Sequence, residues 1–334
     1  MVRISELLKK RAGEKPQTGE FLVSEAIKEK GDIDSPLGVR RIYEDTILRL
    51  KHIFQDIIDG KSVEIKEIEN LAVKIEETLQ VKIDTFLSLV NNFSLYEKED
   101  DFLYAHSVNV AILVTNIGIS FGFDKRELID LCIASLIHDI GMLKVPQEIV
   151  SKPEKLTKGE FELVKKHPIY GLQLLSNVKG LPKATLEVVY HHHDKIDGTG
   201  YPEPKRGERT SKYAQIVGIA EIYEALTHPR PYRSYKIIPS EAVKIIVKEE
   251  SSSYENEILR AFLNYVTFYP VGSHVLLNTN EIGKVLKVNE NLPLRPVVEI
   301  MYDSERKKLE KTKTIDLTKS PVVYIEKAID EDTI

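Results

Sequence analysis

A chain of 334 residues with 30% charged and 42% hydrophobic residues has room for about two domains of ordinary globular composition. Its net charge of −5 leaves no bulk positive field to hold a nucleic-acid polymer. A single cysteine, Cys132, excludes an intramolecular disulfide and fits a reducing compartment.

The opening residues, MVRISELLKKRAGEK, contain no apolar run of signal-peptide length. The chain is also read as lacking the roughly 18 consecutive uncharged residues that a membrane span needs, so a cytoplasmic protein with no membrane partner is expected. Residues 1–35 are polar and broken by Gly and Pro, as expected of an arm with one short helix. From Val39 to Val90, RIYEDTILRLKHIFQDII and EIKEIENLAVKIEETLQVKIDTFLSLV repeat apolar residues at three and four, with DGKS between them. Two or three helices follow from that spacing, packed on one another or on a second subunit. A helical regulatory and dimerisation module over residues 1–97 is expected, with a homodimer formed through it. His52, on this stretch, is expected at the surface.

The next stretch, residues 98–266, is better punctuated. Asp124 with Glu127, and Thr157 with Glu160, carry capping-box spacing ahead of apolar helical runs. Pro182 and Ser240 mark two further helix starts. After Phe268 the texture changes to HVLLN, GKVLKVN, PVVEIMYD and VVYIEKAI, short β-rich runs parted by turn residues. Residues 267–334 therefore read as a small β-rich unit, and the whole chain as mainly α.

Six of the nine histidines lie between His106 and His193, interspersed with acids: AHSVNV, IHDIG, KKHPIYG and HHHD, followed by AEIYEAL with Glu221 and Glu224. Neutral imidazole and carboxylate suit first-row divalent ions, and no cysteine cluster competes for them. A lone histidine on a helix is more often packed or exposed than a ligand, and the buried-looking Cys132 reads as core. The signal is the concentration of these residues on helical segments that also carry apolar stripes, because facing helices can converge on a metal. His138 and Asp139 would point about 100° apart on a continuous helix. Gly141 lets the helix end there, so both can reach one cluster. A carboxylate can bridge two ions about 3.5–4 Å apart, an arrangement that clamps phosphate.

IHDIG, with an earlier helical His106 and the later acid of AEIYEAL, resembles the HD superfamily of metal-dependent phosphohydrolases. KPEKLTKGEFELVKKHPIYG, HHDKIDGTGYP, AEIYEALTHPRPYRSY and EIGKVLKVNENLPLRPVV resemble its HD-GYP group, in order and at its spacing, from about Asp100 to Val298. The resemblance implies an HD-type helical bundle and a phosphodiesterase that hydrolyses cyclic di-GMP to pGpG, with a second cut to GMP left open. It implies two divalent transition metals, iron or manganese. One would be held by His106, His138, Asp139 and Glu221, and the other by His167, His192 and His193 with Asp139 bridging. A hydroxide between the metals would attack phosphorus, making Asp139 and Lys144 the catalytic residues. Lys144, Arg230 and Arg233 would bind substrate phosphate. Asp197, Gly198, Gly200, Tyr201 and Pro202 form the loop that names the group, expected to be a pocket wall and a docking point for signalling proteins.

In this register His191 falls outside the ligand pair. Five departures stand out: Met142 where the family has lysine, Asp194 where it has glutamate, Glu221 and Glu224 where it has aspartates, and Phe102 where some members place a third-metal glutamate. Met142 and Glu221 keep open a cyclic di-GMP receptor with little turnover. A phosphohydrolase of another nucleotide is the third reading.

Overall fold

The computed structural model describes residues 35–330 except 91–100, 203–209, 229–236, 266–268, 290–291 and 293. The expected N-terminal arm and both Arg230 and Arg233 lie outside the described residues. Among the described residues two helices come first, α1 (Pro36–Ile58) and α2 (Ile65–Val90). Ser35 caps α1, its hydroxyl accepting from Gly38 N at 3.0 Å, and Pro36 takes the first turn, where a missing N–H costs nothing. The helix α2 is interrupted at Lys82 (φ −137°, ψ 46°).

Among the described residues nine more helices follow: α3 (Phe102–Phe121), α4 (Lys125–Ile137), α5 (Gln147–Val150), α6 (Lys158–Val164), α7 (His167–Leu175), α8 (Lys183–His191), α9 (Lys212–Thr227), α10 (Pro239–Glu249) and α11 (Asn256–Tyr265), with a 3-10 turn at Ile140–Lys144. Both capping boxes form as their spacing requires, Asp124 with Glu127 at α4 and Thr157 with Glu160 at α6. Pro182 caps α8, and α10 begins at Pro239, one residue before Ser240.

One apolar core runs through these helices. Tyr43, Phe54, Ile75 and Phe86 from α1 and α2 are buried in the same cluster as Ile112 and Ile117 of α3, Leu131 of α4 and Phe262 of α11. Cys132 is buried there too, and burial pushes its thiol up to about 12, so it is an inert core group. His52 is exposed.

The helix α3 corrects the reading of the chain as free of long uncharged runs. Phe102–Phe121 contains no Asp, Glu, Lys or Arg and is long and apolar enough to cross a membrane by composition, yet 83% of its most apolar window is buried inside the protein. It is apolar on every side because α1, α2, α4, α9 and α11 all pack against it.

The C-terminal unit is a five-stranded antiparallel sheet in the order β4-β3-β2-β1-β5, from β1 (His274–Leu277), β2 (Ile282–Lys287), β3 (Val297–Tyr302), β4 (Lys308–Asp316) and β5 (Ile325–Ile329). Its own core holds Val275, Leu277, Val285, Val298, Ile300 and Leu317. The strand β4 was absent from the sequence reading because KLEKTKTID has almost no apolar face. It lies at the sheet edge, where lysines discourage pairing with another chain.

Because α1 shares the core with the histidine-bearing helices, Phe54→Ala should lower the stability of the helical part by about 3–5 kcal/mol. Urea denaturation followed by helical circular dichroism would measure it, and a shift under 1 kcal/mol would mean that α1 packs independently.

Candidate metal centre

The histidine-bearing segments deliver their side chains mostly from helix ends. His106 lies in the second turn of α3, whereas α4 stops at Ile137, so that His138 and Asp139 occupy the turn before the 3-10 segment. His167 opens α7, and His192 caps the end of α8 with His193 beyond it. Close approach of these ends depends on glycine. A Cβ on Gly141 would stand 1.9 Å from His167 O, and one on Gly218 of α9 would stand 2.3 Å from His192 O. No other residue fits either contact without moving backbone.

Two groups of four donors result. Ligand atoms of His106, His138, Asp139 and Glu221 lie within 4.8 Å of one another, as do those of Asp139, His167, His192 and His193. Asp139 belongs to both, and its two oxygens divide the work. Oδ2 lies 3.6 Å from His106 Nε2 and 3.8 Å from His138 Nε2, while Oδ1 lies 3.2 Å from His167 Nε2 and 3.8 Å from His192 Nε2.

The hydrogen bonds behind the imidazoles decide which nitrogen is available. His138 Nδ1 donates to Ser135 O at 2.7 Å, His167 Nδ1 to Val164 O at 2.8 Å, and His192 Nδ1 to Val188 O at 2.9 Å. In the neutral ring the proton therefore sits on Nδ1, and Nε2 presents a lone pair. His167 Nε2 and His192 Nε2 face each other at 3.1 Å. Two lone pairs at that distance repel unless a cation lies between or beside them. His138 Nε2 and Asp139 Oδ1 are buried without a hydrogen-bond partner, an arrangement that costs about 1–3 kcal/mol per group in a protein interior. Orphaned inward lone pairs, neutral imidazoles and a shared carboxylate are the donor set of a divalent metal, and the cluster fits one.

Protonation follows the same geometry. Burial pushes His138 down to about 4, with the positive potential of His106 and His167 adding to it and Asp139 opposing. Burial likewise lowers His167 and His192. Burial alone would raise the Asp139 carboxyl, but the surrounding His138, His167, His106 and His192 outweigh it and hold it well below its ordinary value. Neutral His138, His167 and His192 around an ionised Asp139 are therefore the ordinary state near pH 7.

His191 points away from the cluster, its Nδ1 2.7 Å from Asp194 Oδ2, and the buried Asp194 serves that contact. Glu221 reaches the His106 group and also comes within 3.6 Å of His193 Nε2. Tyr201 stacks on His193, ring centroids 4.3 Å apart, and so walls that side of the cluster. Gly198 takes a positive φ of 80°, and a Cβ on Gly200 would stand 2.4 Å from His193 O. Asp197 accepts from Thr199 N and Oγ1 at 2.9 and 2.7 Å and from Ser253 Oγ at 3.0 Å, contacts that shape the loop. Pro202 closes the turn. Met142 is half-buried in the 3-10 turn and Lys144 is exposed at its end. Phe102 lies parallel to the His106 ring at 6.1 Å.

Three groups stand behind His106: Glu224, counted among the metal-type acids of the sequence but not placed in the ligand set, and Asn109 and Tyr43, which the sequence did not single out. His106 Nδ1 lies 2.5 Å from Glu224 Oε2, Asn109 Nδ2 donates to Glu224 Oε1 at 3.2 Å, and Tyr43 Oη donates to Asn109 Oδ1 at 2.8 Å. The spacing held a hint, since Asn109 follows His106 by three on one helix face and Glu224 follows Glu221 likewise. Tyr43 comes from a distant helix and carried no local signal.

Comparison with known proteins agrees with the helical fold. The family model described as HD domain matches residues 93–258, and one described as a KOW domain associated with HD domain matches residues 274–334. The chain is 31% identical over 255 residues to the cyclic di-GMP phosphodiesterase PA4108 of Pseudomonas aeruginosa, covering 76% of this chain and 60% of that protein. It is 29% identical over 209 residues to the cyclic di-GMP phosphodiesterase PdeB of Borreliella burgdorferi, covering 63% of this chain and 55% of that one. The chain thus spans less than two thirds of the length of these relatives. Among solved structures, Bd1817, an HDGYP protein from Bdellovibrio bacteriovorus, superposes with a TM-score of 0.57 at 18% identity, covering 71% of this chain and 73% of that one. It shares the helical fold.

Two outcomes test this geometry. An unfolded histidine takes up its proton near pH 6.5, whereas folded His138 resists until about 4. The stability of the metal-free protein should therefore be intact above pH 6.5 and fall as pH drops from 6.5 to 4. At about 1.4 kcal/mol per pKa unit, His138 alone accounts for about 3 kcal/mol of that fall, and Asp139 adds to the loss only below its ordinary 3.8. A flat melting temperature from pH 7 to 4.5 would contradict the burial of these rings. Separately, Gly218→Ala should cost about 1–3 kcal/mol through the clash with His192 O and weaken metal binding; metal binding and stability matching the parent would show that α9 has slack there.

Proposed function

We propose that the chain belongs to the HD-GYP group of the HD domain family and is a metal-dependent phosphodiesterase of cyclic di-GMP. The observation that carries this reading is Asp139, whose two oxygens face two separate sets of imidazole lone pairs. A carboxylate so placed is suited to join two cations, and two cations suit a phosphodiester. His106, His138, Asp139 and Glu221 would hold one ion, and His167, His192, His193 and Asp139 the other. Iron or manganese is favoured by nitrogen and oxygen donors without thiolate. Such ions supply Lewis-acid polarisation of a phosphoryl oxygen and water of lowered pKa.

The chain's own residues do the rest. Asp139 holds the two halves in register, so catalysis depends on it first. Tyr201, stacked on His193, closes one side of the cluster against solvent. Lys144 stands two residues past the family's lysine position and, with Arg230 and Arg233, binds phosphate oxygens; guanidinium forks do so bidentately. Met142 cannot take that role. The product of the first cut is pGpG. The loop of Asp197, Gly198, Gly200, Tyr201 and Pro202 also offers a docking point for signalling partners, and α1 and α2 a surface for a homodimer.

Protein loaded anaerobically with iron or manganese should convert cyclic di-GMP to pGpG, read by chromatography. Asp139→Asn should lose more than the ~10–100-fold that removing an outer-shell partner costs. Tight cyclic di-GMP binding with no product under these conditions would establish a receptor instead. Turnover of a dNTP or an alarmone, and not of cyclic di-GMP, would assign another nucleotide.

A further inference from the structure

The imidazoles of the centre are not backed alike. His138, His167 and His192 each lean on a backbone carbonyl of their own helical segment. His106 instead leans on the Glu224 side chain, 118 residues away in sequence and fully buried. Glu224 Oε1 is held by Asn109 Nδ2, and Asn109 Oδ1 by the Tyr43 hydroxyl of α1. Tyr43 and Asn109 are themselves fully buried, so the whole line of donors, ending on one carboxylate, is shielded from water.

A carboxylate behind a histidine fixes the ring and raises the basicity of its free nitrogen more than a neutral carbonyl does. The halves also differ in charge. The His106 group contains two carboxylates, Asp139 and Glu221, and has Glu224 behind it. The His167 group contains Asp139 and otherwise neutral rings. Phe102, parallel to the His106 ring, adds an apolar face that limits its rotation.

We infer that Glu224 is a positioning residue that makes the His106 half the tighter of two metal positions, the one that fills first, with Asn109 and Tyr43 holding Glu224 in place. This rests on the two-metal reading above and adds an inequality that the ligand set alone does not contain.

Titration of metal-free protein with Mn²⁺, followed by calorimetry and by metal content after desalting, tests it. The parent should show a tight and a weaker step. Glu224→Gln, which keeps the size and removes the charge, should weaken the tight step about 10–100-fold and leave the weaker step within twofold. Tyr43→Phe should weaken the tight step several-fold. Two ligand variants keep the test valid if Glu224→Gln does not fold: His167→Ala should retain the tight step and lose the weak one, and His106→Ala should do the reverse. Two equal steps in the parent, a tight step lost with His167→Ala, or equal weakening of both steps in Glu224→Gln would overturn the inference while leaving the phosphodiesterase reading intact. A parent that binds no Mn²⁺ would sink that reading itself.

Discussion

Everything about the centre depends on one electrostatic arrangement: a single ionised carboxylate, Asp139, surrounded at 3.2–3.8 Å by imidazole nitrogens that carry lone pairs. In a dry interior that geometry is unfavourable by itself. The rings cannot donate to the carboxylate, because their protons are committed on the far side to Ser135, Val164 and Val188 carbonyls and to Glu224. Burial lowers the proton affinity of the rings, so acid does not readily relieve the conflict. Cations relieve it at once. The fold thus stores unfavourable polar contacts that only a metal satisfies, and metal binding and folding stability become linked quantities.

The architecture exists to hold those contacts. Ligands carried by helix ends can be brought nearer than ligands on helix flanks, because an end has no neighbouring turn to clear. The glycines at 141 and 218 remove the last Cβ atoms that would separate the segments. The cost is that the ligand-bearing helices are short, nine residues each in α7 and α8. Short helices depend on packing for stability, which the all-round apolar α3 and the helices α1 and α2 supply. The N-terminal helices are in that sense part of the scaffold of the centre.

Much of this was legible in the sequence because the informative residues are local and chemically rare. Capping boxes at Asp124 and Thr157 and the glycine after His138-Asp139 are short-range features, and the structure has each where the spacing put it; the offset of His191 followed instead from the register of the family resemblance. Non-local and compensated features were not legible. Twenty uncharged residues in α3 escaped notice as an element of membrane-like composition and matter because five other helices cover them. The edge strand β4 packs only Leu309 and Ile315 against the sheet core and is otherwise held by pairing with β3. Tyr43 and Asn109 are unremarkable residue types whose partners lie 66 and 115 residues away.

The departures from the family pattern take on a common sense once the charges are placed. Glu221 instead of aspartate gives a longer reach, and the structure uses it to touch both the His106 group and His193. Glu224, also longer, spans to His106 from α9. Both changes concentrate negative charge on the half of the centre that contains His106, while Phe102 removes a further acid from the same side and replaces it with an apolar wall. The net effect is a site whose anionic character is set by Asp139, Glu221 and Glu224 acting across a few ångströms. Asymmetry between its halves is then a consequence of where helix α9 places its two acids, one turn apart, one facing the cluster and one behind it.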